Sequence, residues 1–147
     1  MSPVTINDAI CAPIAIVTEA DTSAPLLEIE DWQRVAIKKI ASLRSLEVGW
    51  DGSGSVAPTP QVCDWACKFI LRQRRMSLRS PEFFPESGGA LQINWFSGYR
   101  REIEIHVQPD GTCETLKIDA GKPTEEMNIP QSSVSDVDKL IDWLRRG

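Results

Sequence analysis

The middle of the chain, from residue 90 to residue 118, carries apolar residues at alternate positions, and this pattern constrains the fold more than any other feature. Successive side chains in a strand point to opposite sides, so a period of two is typical of strands with one buried face. Short turns at 97–99 and 109–111 divide the pattern into three runs. The apolar members are Leu91, Ile93, Trp95, Ile103, Ile105, Val107, Leu116 and Ile118. The pattern predicts a three-stranded antiparallel meander.

A Pro-Asp-Gly sequence sets the predicted register of the second hairpin in this meander. Asp-Gly is typical of two-residue hairpin loops, which need positive φ angles. With residues 110 and 111 as the loop, Ile105 lies opposite Leu116, and the apolar faces of the two strands coincide. The same register places Lys117 opposite Glu104, where a cross-strand ion pair is expected.

Three other segments have apolar residues at the helical spacing of three and four. The first covers residues 26–46. The second begins at Thr59-Pro60, because Thr is a good N-cap and Pro suits the first helical position. The third follows Ser133. The segment 76–85 is expected to be a loop that contains a short extended piece.

Together these elements predict an α+β fold in the order helix, helix, three-stranded antiparallel meander, helix. A sheet with one apolar face needs a second layer, and the helices supply it in a two-layer sandwich. Residues 26–147 are expected to form one domain, since 147 residues is an ordinary domain size. Residues 1–25 alternate weakly among prolines, which favours an extended arm or an edge strand.

The charge balance argues against a chain-wide attraction to nucleic acid or anionic lipid. The chain has 16 Lys and Arg residues against 21 Asp and Glu residues, and its net charge is −5.

The N-terminus lacks the basic region of an export signal, and no apolar run approaches the roughly 20 residues needed to cross a bilayer. We therefore expect a cytoplasmic protein with no membrane partner, no cofactor and reduced cysteines.

The most distinctive loop is Gly-Trp-Asp-Gly at residues 49–52. In a structural interpretation, Gly49 ends the first helix, Trp50 fills the gap between the helices and the sheet, and Asp51 bonds the backbone of the turn. In a functional interpretation, Trp50 and Asp51 form a recognition spot for a ligand or partner. The sequence favours the structural interpretation and leaves the functional one open.

Several short motifs occur together in the chain. The Gly-Trp-Asp-Gly loop precedes a Pro-started helix, a Gly-Gly-x-x-Gln-x-x-Trp strand at 88–95, a Glu-x-Glu-x strand at 102–105 and Pro-Asp-Gly at 109–111. In this combination the chain resembles a family of small, uncharacterised bacterial proteins. The resemblance implies an α+β fold and a prokaryotic source, and it brings no catalytic residue with it.

The polar members of the strands are expected on the side of the sheet that faces away from the helices. The carboxylates of Glu102 and Glu104 would favour a basic partner surface there. The residues assigned to partner binding are Trp50, Asp51, Gln92, Asn94, Glu102, Glu104 and His106. The leading hypothesis is a non-enzymatic protein-interaction module, such as an accessory, antitoxin-like or inhibitory component of a bacterial or phage conflict system.

Two alternative functions stay open. A small enzyme or ligand-binding protein would use Asp51, Glu102, Glu104 and His106, although no motif places a Ser or Cys nucleophile beside the single histidine. A nucleic-acid-binding protein would use the basic residues Arg72, Arg74, Arg75, Arg79, Arg100 and Arg101.

Zinc accepts cysteine and histidine ligands, so the cysteines need separate consideration. Cys63 and Cys67 lie four residues apart on the predicted second helix. In the predicted register, Cys113 and His106 both point away from the helices, and the four side chains do not converge. We therefore expect no metal site.

Overall fold

The computed structural model describes residues 29–73, 79–98 and 100–146 of the chain. Its helices are α1 (Asp31–Arg44), α2 (Pro60–Arg72) and α3 (Val134–Arg145), and its strands are β1 (Glu82–Glu86), β2 (Ala90–Ser97), β3 (Arg101–Val107), β4 (Thr112–Asp119) and β5 (Lys122–Pro130). A short 3-10 turn, Ser87–Gly89, joins β1 to β2. The arm or edge strand predicted for residues 1–25 lies outside the described residues.

The α+β class is confirmed, but the three-stranded meander is wrong because the sheet has five strands. They lie in the order β1-β2-β3-β4-β5, and each pairs antiparallel with its neighbour. The predicted element order is therefore also wrong, since β1 precedes the three central strands and β5 separates them from α3.

The two missed strands are the edges of the sheet. β1 contains Pro85, and β5 contains Pro123 and Pro130, which edge strands tolerate because their outer N–H groups have no ladder partner. Most residues of β5 are exposed on both sides. An edge strand with so little burial needs no apolar alternation, so its sequence lacks the signal that identified the central strands.

The register predicted for the hairpin between β3 and β4 is wrong by one residue. Val107 pairs with Cys113, and Glu104 pairs with Leu116 instead of Lys117. The loop has three residues: the N–H of Gln108 donates to the carbonyl of Thr112 (3.0 Å), and Gly111 has φ +93°. In a two-residue loop, the N–H of residue 109 would have to donate a hydrogen bond to the opposite strand. Residue 109 is a proline and has no N–H, so the longer loop is favoured.

The core lies between the three helices and one face of the sheet. Its largest fully buried side chain is Trp95 of β2, which contacts Trp32 of α1 and Phe69 of α2. The predicted start of α2 is confirmed, because the Thr59 hydroxyl accepts a hydrogen bond from the N–H of Val62 (3.2 Å). The start of α3 after Ser133 is also confirmed. α1 is shorter than the predicted 26–46 helix.

Two of the cysteines are free and fully buried, Cys63 on α2 and Cys113 on β4. Cys67 is disulfide-bonded, so the expectation of reduced cysteines is wrong for this residue. The one-residue register shift also turns Cys113 into the core beside Val107, and the prediction that it points away from the helices is wrong.

We expect the thiols of Cys63 and Cys113 to react slowly with a disulfide reagent such as dithionitrobenzoate at about pH 8. Burial raises the pKa of Cys63 to about 11 and that of Cys113 to about 12, so little thiolate exists at that pH. Both thiols should react at once when the chain is unfolded in guanidinium chloride without reductant. Equally fast reaction in the native protein would contradict the described burial.

Candidate functional site

Within the described residues the helices cover only one side of the sheet, and we call the other side the outer face. Alternation along the paired strands assigns to it the residues Glu82, Phe84, Glu86, Gln92, Asn94, Phe96, Glu102, Glu104, His106, Glu114, Leu116, Ile118, Glu126 and Asn128. Six of these are glutamates, and among the described residues of the outer face none is a lysine or arginine. The outer face is therefore strongly acidic.

His106 is held between two of these glutamates. Its Nδ1 lies 3.0 Å from both carboxylate oxygens of Glu86 on β1, and its Nε2 lies 3.2 Å from Oε1 of Glu104 on β3. Burial by itself lowers the pKa of His106. The hydrogen bonds and negative charges of Glu86 and Glu104 outweigh that effect, and the pKa of His106 is raised above its usual value. The bridge links β1 to β3 across β2.

A second line of polar groups crosses the same face beside the histidine. The amide of Gln92 donates to Oδ1 of Asn94 (2.7 Å), and the Asn94 amide lies 3.5 Å from Oε2 of Glu102. Burial raises the pKa of Glu102, and the negative charges of Glu104 and Glu82 raise it further. These carboxylates therefore repel one another, and a cation placed among them would relieve that repulsion.

An open groove of about 390 Å³ lies on the outer face over β3, β4 and β5. Its lining includes His106, Glu114, Leu116, Glu126 and Asn128. The register explains its character, because Leu116 stands opposite Glu104, the place where Lys117 was predicted. Lys117 is instead on the other side of the strand, 2.8 Å from Glu125 and above the ring of Trp143. The ion pair predicted between Lys117 and Glu104 is wrong.

The Gly-Trp-Asp-Gly loop makes its hydrogen bonds internally. Oδ1 of Asp51 accepts from the N–H of Ser53 (2.8 Å), and Oδ2 accepts from the hydroxyl of Ser55 (2.6 Å). Trp50 is half-buried and donates to the carbonyl of Val56 (2.9 Å). The prediction that Trp50 fills the gap between helices and sheet is wrong, since its side chain is only half-buried and does not belong to the core cluster between them.

The structure therefore brings together five of the predicted partner-binding residues, which are Gln92, Asn94, Glu102, Glu104 and His106. It gives Trp50 and Asp51 contacts within their own loop. Sequence reasoning missed Glu82, Glu86, Glu114 and Glu126, because it lacked β1, β5 and the true register. The segment 76–85 was predicted to be a loop with a short extended piece, and the alternation of Glu82, Phe84 and Glu86 is the signal that could have extended that piece to β1.

Three of the predicted basic residues have intramolecular side-chain partners. Arg72 forms an ion pair with Asp138 of α3 (2.6 Å), and Arg100 forms one with Asp119 (2.5 Å). The guanidinium of Arg101 stacks over the ring of Trp143, 4.5 Å from its centroid. The carbonyl of Arg79 accepts from the indole of Trp95. Arg74 and Arg75 lie outside the described residues.

Within residues 29–73, 79–98 and 100–146, no three His, Cys, Asp or Glu side chains are grouped so that they could hold a metal ion. Over the same ranges no helix has both the length and the apolar character that crossing a membrane demands.

No protein-family model, curated protein or solved structure matches the chain. The resemblance to a bacterial family stays a prediction.

Proposed function

We propose that this protein is a non-enzymatic interaction module that binds a basic protein partner on the outer face of its sheet. The observation that carries the proposal is the composition of that face, whose described residues include six glutamates and one histidine but no lysine or arginine. In this proposal the protein acts by covering a basic surface of its partner, as an accessory, antitoxin-like or inhibitory component would.

The outer face also has the apolar contact area that a protein interface needs. Phe84 is 42% exposed and Phe96 is 38% exposed, and both project among the carboxylates. Leu116 and Ile118 are half-buried on the same side of β4. Aromatic side chains at an interface supply much of its affinity, while charge complementarity speeds encounter and selects orientation. The mixture therefore favours a protein partner over a small cation.

The geometry supports binding over the alternative of catalysis. An enzyme would gather its acid and base groups in one pocket. Of the four residues considered for that role, only His106 lines the groove. The carboxylate of Asp51 is occupied by the backbone and hydroxyl of its own loop. Glu102 and Glu104 lie on a broad face that extends over all five strands.

The outer face also argues against the nucleic-acid alternative. Its glutamates would repel phosphates, since no lysine or arginine of the described chain accompanies them on that face. Arg72, Arg100 and Arg101 have intramolecular partners, and a phosphate would have to compete with these contacts.

Reversing the charges of Glu102 and Glu104 tests the proposal. The probe is a short fluorescent peptide rich in Lys and Arg with blocked ends, and its binding is followed by fluorescence anisotropy. We expect the double variant Glu102→Lys, Glu104→Lys to lower the affinity by about tenfold or more, because two attractive charges become repulsive. The salt dependence of binding should fall as well.

The matched control is Glu47→Lys with Asp142→Lys, which changes the net charge equally. Both residues are exposed, and neither belongs to the outer face. This control should retain the affinity within about twofold, since exposed charges outside the outer face act on the peptide only through screening salt. The variant Glu102→Gln, Glu104→Gln removes the charges without reversing them, and circular dichroism checks the fold of each protein. Equal losses in the outer-face and control variants would refute a specific surface.

A further inference from the structure

We propose that His106 acts as an internal cation on the outer face, and that a basic partner displaces its proton when it binds. Affinity for the partner then rises with pH. This inference rests on the proposed function, because it concerns regulation of the same face. It requires the described bridge between Glu86, His106 and Glu104.

The geometry of the bridge matches the doubly protonated ring. A neutral imidazole has one N–H and one lone pair, so it can donate a hydrogen bond from only one of its nitrogens. Here both nitrogens face carboxylate oxygens, at 3.0 Å to Glu86 and 3.2 Å to Glu104. An ionised carboxylate accepts hydrogen bonds and repels a lone pair. Both contacts are therefore favourable only when the imidazole carries its second proton.

The surroundings of His106 add further negative charge. Gln92 of β2 and Glu114 of β4 stand directly opposite it in the sheet, and Glu126 of β5 lines the same groove. With Glu86 and Glu104, these are the charged and polar groups that face the ring from the neighbouring strands. The raised pKa of His106 agrees with this environment.

A lysine or arginine of the partner would compete with the imidazolium for the same oxygens. A cation near Glu86 and Glu104 satisfies their charge and repels the proton on the ring, so the pKa of His106 falls on binding. The proton leaves a ring nitrogen for the buffer. By linkage, the affinity then increases with pH through the titration of His106 and levels off when the ring is neutral in both states.

Proton NMR can measure this linkage directly, because His106 is the only histidine in the chain. The ring signals give its pKa in the free protein and in the protein saturated with the Lys/Arg-rich peptide. We expect a pKa above the usual 6.5 in the free protein and a lower one in the complex. A fall of about one pKa unit corresponds to an affinity that rises up to tenfold with pH.

Calorimetry of peptide binding in two buffers of different ionisation enthalpy counts the protons released. The variant His106→Gln provides the control, because it cannot titrate but keeps a hydrogen-bonding side chain. Glu102 also has a raised pKa and can release protons on binding. We therefore assign to His106 only the proton release that the wild-type protein shows and the His106→Gln variant does not. In this variant we expect a flatter dependence of affinity on pH, and circular dichroism verifies its fold.

The two proposals fail in different ways. If the peptide binds to the outer face but the pKa of His106 is unchanged by binding, the proton linkage is refuted and the proposed function stands. If no binding is detected at any pH, with the wild-type protein folded, the proposed function is refuted and the linkage with it.

Discussion

Replacing Trp95 by Ala is expected to lower the free energy of unfolding by about 3 to 5 kcal/mol, the usual range for truncating a large aromatic in a core. Trp95 has no exposed surface. Its ring centroid lies 5.5 Å from that of Trp32 and 6.1 Å from that of Phe69, so it joins β2 to both α1 and α2. The truncation would leave a cavity at the point where three elements meet.

Urea or guanidinium unfolding followed by far-ultraviolet circular dichroism measures this loss. Trp50→Ala is the matched control, because it truncates an indole that is only half-buried and whose N–H bonds to Val56 of its own loop. We expect this control to cost about 1 kcal/mol, the typical net value of one hydrogen bond. A larger loss for Trp50 than for Trp95 would reverse the assignment of the core.

Replacing Gln33 by Leu is expected to cost about 1 to 3 kcal/mol, because it removes the side-chain hydrogen bonds that Gln33 makes to buried backbone groups. Gln33 of α1 is only 1% exposed. Its amide donates to the carbonyls of Ile70 (2.9 Å) and Gln73 (3.1 Å) at the end of α2, and its Oε1 accepts from the N–H of Glu30 (2.9 Å). The Ile70 carbonyl also accepts from the N–H of Gln73 (3.1 Å), so Gln33 adds a second bond there and reaches the carbonyl of Gln73 just beyond the helix end.

The same unfolding measurement applied to Gln92→Leu provides the comparison for Gln33. Gln92 is half-buried on the outer face, and its amide bonds to the side chain of Asn94. Loss of that bond leaves groups that water can reach, so we expect a change below about 1 kcal/mol. Similar costs for both substitutions would show that Gln33 does not have the capping role described above.

The sequence predicted the elements whose signals are local. β2 and β3 are central strands with one buried apolar face, so their residues alternate. In β4 the alternating Leu116 and Ile118 lie on the outer face, so the strand was predicted but its two faces were exchanged. The beginning of α2 was recognisable because Thr59 and Pro60 belong to the helix start itself. β1 and β5 gave no comparable signal, since edge strands bury few side chains and tolerate proline. The capping role of Gln33 was also not predictable, because its acceptors lie 37 and 40 residues away.

The chain by itself determined that Glu102, Glu104 and His106 share one side of a strand, because residues two apart in a strand always do. Only the tertiary structure decided what surrounds them. Pairing of β1 with β2 brings Glu86 to His106 from 20 residues away. The loop that Pro109 lengthens places Leu116 beside Glu104. A shift of one residue exchanges the two faces of a strand. The extra loop residue therefore puts Glu114, Leu116 and Ile118 on the outer face, where the predicted register had Cys113, Thr115 and Lys117.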